Sequence, residues 1–153
     1  MNSDEIVKKN HQIEVAGKLW TFPEVRYVRD HTGALGVSIS DLMRYQEAVA
    51  VHICTSDGEL TVSEFELVCS VAGMKISDLA TEMRMDRTTV SKWRNLRSGE
   101  DPRKKTLAYV YSIVIKSIIL KKLMSSIERR DEEMEKQRQW ILKMKNLPQI
   151  KVA

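Results

Sequence analysis

Apolar and polar residues change rhythm twice along this chain. Between Gln12 and Phe22 they alternate on either side of Ala16-Gly17, which predicts a hairpin of Gln12–Val15 with Leu19–Phe22. Val25–Val28 and Leu35–Ile39 predict two further short strands around a His31-Thr32-Gly33 turn, making a small antiparallel sheet. Residues 1–11 are polar and read as a frayed end. From Ser40 the period lengthens. Leu42, Tyr45, Val49 and Ile53 share one helical face, with Ser40 as the cap and Asp41 in the first turn. A second helix opens at Thr61, where Thr61-x-x-Glu64 is a capping box. Phe65, Val68, Cys69 and Ala72 are its apolar face, and Gly73 is its terminator.

Two short helices follow, over 76–83 and 87–96. Ile76, Leu79, Ala80 and Met83 form the apolar edge of the first. Val90 and Trp93 give the second its inward face, Asp86 is placed to cap it, and Met85 plugs the turn between the two. From Lys104 to Lys145 no Pro or Gly interrupts a long helix. Its first part is rich in Leu, Ile and Val, and its second part is highly charged. Leu120, Ile127, Met134 and Ile141 recur every seven residues, with Leu123 and Met144 at half-period, but Arg130 and Gln137 break that second line. After Asn146 the chain reads as a frayed tail. The pattern predicts a mainly α protein. It is a helical bundle with a central helix-turn-helix, a small N-terminal β-hairpin or sheet region, and a long C-terminal helix. Three regions result: 1–58, 59–106 and 107–153.

Charge sharpens this division. Residues 1–73 carry 6 Lys/Arg against 11 Asp/Glu, residues 74–106 carry 9 against 5, and residues 107–153 carry 10 against 5. An acidic first half beside a basic remainder points to a polyanionic partner for one part only. The two cysteines, Cys54 and Cys69, form no C-x-x-C pair. With His52 they are too few for a zinc site; Cys69, among Leu67, Val68 and Val71, reads as a small buried thiol, and two lone thiols without a disulfide pattern fit a reducing cytoplasm. His11, His31 and His52 are scattered. No Ser/His/Asp or Cys/His set, phosphate loop or metal cluster is legible, so no catalytic residue, metal or cofactor is expected. No signal peptide is visible. The run "LAYVYSIVIKSIILKKL" is broken by Lys116 and is shorter than the ~20 residues a spanning helix needs, so no membrane partner is expected.

The basic part is concentrated on the second short helix and its exit. From Arg87 to Lys105 there are seven Lys/Arg and two acids. Helical spacing turns Arg87, Thr88, Ser91, Lys92 and Asn95 outward, opposite Val90 and Trp93. A helix that enters the major groove needs a polar, long-reaching, electropositive face of this kind.

The stretch "LTVSEFELVCSVAGMKISDLATEMRMDRTTVSKW" resembles, without a gap, the helix-turn-helix domain of the Xre/phage-repressor superfamily. Leu79-Ala80, Thr89-Val90-Ser91 and Trp93 carry the likeness, which covers about residues 60–106. Arg84 stands where that pattern has a turn Gly, and Lys75 where it has a Ser/Thr cap. Arg94-Asn95 replaces an acid-Gly pair. Arginine fits that turn at little cost where the turn is not left-handed. The resemblance implies that Arg87, Thr88 and Lys92 reach base edges, with Ser91 secondary. It also implies that Lys75 and Ser77 hold backbone phosphates at the start of the preceding helix. Arg94, Arg97, Arg103 and Lys104 complete the expected phosphate contacts.

The function this implies is a cytoplasmic, nucleoid-associated transcriptional regulator. It would be a bacterial or phage repressor that binds a palindromic operator on double-stranded DNA through the helix 87–96. A homodimer is expected, because one short helix reads few base pairs, and two copies about 34 Å apart read a palindrome. Residues 1–58 are expected to dimerise, sense an effector or dock a protein. The alternatives are an antitoxin-type autorepressor that also binds a toxin, and a protein-interaction adaptor with a non-reading helix-turn-helix.

Overall fold

The computed structural model describes residues 5–146, with side chains to Lys143. The first four residues, the tail after Asn146 and the side chain of Met144 lie outside the described residues. The fold is a mainly α bundle with an N-terminal three-stranded sheet and a long C-terminal helix.

Strands β1 (Glu5–Val15) and β2 (Lys18–Arg29) pair antiparallel along their length, from Glu5–Val28 to Val15–Lys18. Ala16 and Gly17 both take positive φ (54° and 76°), the two-residue turn whose twist suits a hairpin. The hairpin is longer than the alternation predicted. Residues 5–11 are strand rather than frayed end, and Leu19–Phe22 and Val25–Val28 belong to one strand that runs through Pro23. The inward phase shifts at that point. Ile13, Val15, Trp20 and Phe22 face in on one side of it, and Val25 and Tyr27 on the other. Asn10, left-handed at φ 49°, stands beside Pro23 and takes up the shift. Proline has no N–H to donate to the ladder, so the strand tolerates it at this break. Strand β3 is only Leu35–Gly36, because Ile39 already begins the first helix.

Helix α1 (Ile39–Thr55) is capped by Ser38 rather than Ser40: Ser38 Oγ accepts the amide of Asp41 at 3.2 Å. It lies against the sheet, with Tyr45 over Phe22 (4.8 Å between centroids), His52 edge-on to Trp20 (5.4 Å), and Asp41 paired with Arg26 (3.0 Å). Helix α2 (Val62–Ala72) has the predicted box: the Glu64 amide donates to Thr61 Oγ1 at 3.1 Å, and the Thr61 amide donates to Glu64 Oε1 at 3.0 Å. Gly73 closes it with φ 64°. Helices α3 (Ile76–Met83) and α4 (Arg87–Lys92) follow, α4 being four residues shorter than the spacing predicted.

The last helix, α5 (Tyr109–Asn146), begins five residues later than expected. The reason is hydrogen bonding. Val62 N–H donates to Lys105 O, Leu107 N–H to Leu60 O and Ser63 N–H to Pro102 O, so segment 102–107 is tied to the start of α2 and is withheld from the helix. One core joins all the helices to the hairpin. It includes Val15, Val49 and Ile53, the buried face of α2 led by Phe65, Leu79 and Val90, and Ile115, Ile119 and Leu123 of α5. Burial, opposed in part by Lys116, pushes the Cys54 thiol up to about 11. Burial, followed by the neighbouring Cys54, pushes Cys69 up to about 12. Among the described residues no helix is long and apolar enough to cross a membrane.

Candidate nucleic-acid interface

Helices α3 and α4 are joined by Arg84, Met85 and Asp86. Arg84 is left-handed (φ 55°, ψ 45°), and its amide caps the α3 carbonyls of Ala80 and Thr81. This turn geometry is the one that favours glycine, so the arginine is strained here and not neutral. Met85 is half-buried against the core, as a plug requires. Asp86 holds the cap position of α4 with extended backbone, but its carboxylate makes no capping hydrogen bond.

Val90 is fully buried and fixes the rotation of α4. Trp93, the helix's C-cap, is half-buried, edge-on to Phe65 (6.1 Å) and stacked at a tilt on Tyr111 of α5 (4.9 Å). The indole is therefore a packing residue. The opposite side of α4 shows Arg87, Thr88 and Lys92 to solvent. Ser91 is half-buried, and its hydroxyl lies 3.4 Å from Arg94 Nη2.

Four of the ten predicted contact residues line one cleft of about 520 Å³. They are Lys75 and Ser77 at the start of α3, Arg87 on α4, and Arg94 just beyond it. Lys75 is the N-cap of α3 and places no side-chain oxygen on its first amides. The same cleft holds Glu66 and Ser70, four apart on α2, which are not among the contacts expected from the sequence. Their i, i+4 spacing on the polar side of α2 was the available signal.

The exit from α4 is neutralised in places. Arg103 pairs with Asp101 (3.1 Å), and Lys105 pairs with Glu100 (2.9 Å) and donates to Asn95 O (3.1 Å). These contacts hold both carboxyls below their ordinary range, chiefly through side-chain hydrogen bonds from Arg103 to Asp101 and from Lys105 to Glu100. The hydrocarbon stem of Arg103 also runs under the hairpin turn, where a Cβ on Gly17 would collide with its Cδ. Arg103 is thus tied to the sheet, away from the cleft residues. Arg97 and Lys104 are exposed. Both acids between Arg87 and Lys105 are matched off the α4 face. Arg87, Lys92, Arg94, Arg97 and Lys104 make no ion pair among the described residues.

Comparison of the chain with protein-family models, with curated proteins and with solved structures gave no match.

Proposed function

We propose that the chain is a sequence-specific, dimeric DNA-binding transcriptional regulator of the Xre/phage-repressor type. In this reading α4 enters the major groove and the protein acts by occupying an operator. The observation that carries it is the set of five unmatched cations on and after a helix whose rotation is fixed by Val90 and Trp93. A generic bundle helix has no need of a cationic outer face followed by a loop whose two acids, Glu100 and Asp101, are paired with other bases. The left-handed backbone at Arg84 supports the same reading, because it falls where the superfamily pattern places its turn glycine. Arg87 and Lys92 would pair with base edges, and Thr88 would meet a thymine methyl or a phosphate. Lys75, Ser77 and Arg94 in the adjoining cleft would hold the backbone, with Arg97 and Lys104 beyond them.

Selection of random duplexes by the full chain tests this. The wild type is expected to enrich one sequence. Arg87→Ala with Lys92→Ala should abolish that preference, a loss of about 1–3 kcal/mol of discrimination per base contact, while helicity stays intact. Lys104→Ala should instead weaken all duplexes alike and lower the salt slope by about one. Enrichment of an unchanged sequence by the double variant would refute α4 as the reading element.

A further inference from the structure

Helix α5 is 38 residues long, or about 57 Å. Its first half belongs to the bundle, with Ser112, Ile115, Lys116, Ile119 and Leu123 buried. From Asp131 to Lys143 every side chain is exposed. Arg130, paired with Glu47 of α1, marks where the helix leaves the body.

The structure reassigns the seven-residue repeat on this helix. Leu123 lies in the protein's own core and Arg130 turns to α1, so the line through them faces inward. The repeat through Ile113, Leu120, Ile127, Met134 and Ile141 remains, and Met134 and Ile141 are 47% and 49% exposed. The outward half-period line is Val110, Ser117, Met124, Asp131 and Arg138. A seam of this kind calls for another helix.

The charges on the projecting half specify which helix. Residues 128–135 carry five acids and two bases, and residues 136–143 carry three bases and no acid. A complementary partner must run basic to acidic, which is this same segment in the opposite direction. A parallel copy would stack Asp131 on Asp131 and Arg138 on Arg138. An antiparallel copy centred between Glu135 and Lys136 brings each Asp131 within one helical turn of the other copy's Arg138. It also lays Ile127, Met134 and Ile141 of both copies on one strip.

We infer that the projecting half of α5 pairs antiparallel with the same segment of a second copy. This gives a location and a direction to the two-copy reading proposed above, on which it rests, and it is measured without DNA.

Sedimentation velocity of the full chain over a concentration series tests it. The wild type is expected at twice the 17.6 kDa chain mass. Met134→Glu with Ile141→Glu should give a monomer that still unfolds cooperatively, with a melting midpoint that no longer depends on protein concentration, since neither residue touches the core. Asp131→Arg alone, or Arg138→Asp alone, should weaken the dimer about tenfold, roughly 1.4 kcal/mol, and the two together should restore it. A wild type that stays monomeric, or a Met134/Ile141 variant that still dimerises, overturns the seam. Single reversals without effect, or a double reversal that does not restore the dimer, overturn the antiparallel order. Dimers that select no DNA sequence would instead count against the regulator reading.

Discussion

Arg84 sits at φ 55° and ψ 45° with no glycine's freedom to be there. A left-handed L-residue costs about 1–2 kcal/mol, and part of that returns as lower entropy in the unfolded chain when the residue is not glycine. Arg84→Gly should therefore stabilise the protein by about 0.5–1 kcal/mol, read from the midpoint of chemical denaturation. An unchanged or lower midpoint would mean that the guanidinium makes up the strain. What was legible at this scale was local. Thr61 and Glu64 lie within one turn, and the distant Lys18 pairs with the other oxygen of the Glu64 carboxylate (3.6 Å), so their box could be read directly. Ser38 and Ser40 both suit a cap, and only the emerging chain direction decides between them. Arg103, expected as a phosphate contact, also packs its stem under the hairpin turn. Its partner Gly17 is far away in sequence, and no local pattern announces such a contact.

Among the elements, the joint between α1 and α2 depends on α5. Lys116 is buried, and its ammonium donates to the carbonyls of Ser56 (2.8 Å) and Gly58 (2.7 Å). Lys116→Met keeps most of the packing and leaves both carbonyls without this donor, at a cost of about 1–3 kcal/mol each to the extent that water does not replace it. The variant should unfold at lower denaturant with an unchanged slope. A variant as stable as the wild type would show that water fills the donor's place. In sequence, Lys116 served only to interrupt an apolar run. Element type was the most readable feature, since period 2 and period 3.6 are properties of each segment alone. Element length was less so. The hairpin is longer because β1 and β2 support each other past Pro23, and α5 is shorter because residues 102–107 bond to α2. Both outcomes depend on pairing between distant segments.

At the scale of the molecule, the three regions read from the sequence meet in one core. Of its eighteen buried residues among those described, nine lie in 59–106, five come from the hairpin and α1, and four from Leu107 and α5. The basic face of α4 was legible because its spacing and charge are written side by side. The cleft that joins it to α3 and α2 was not, since it exists only once those helices are packed. Residues 59–106 alone should lack cooperative thermal unfolding and give a narrow amide proton spectrum, because half of the buried residues would lose their partners. Dispersed, sharp resonances from that fragment would show a self-sufficient unit. The shared core also bears on how such a protein changes over time. If α4 reads DNA as proposed, a reading helix whose core is shared with a sheet and a long helix would not be a portable cassette. On that reading, new specificities would arise by substitution on the α4 surface and not by exchange of the helix pair between chains.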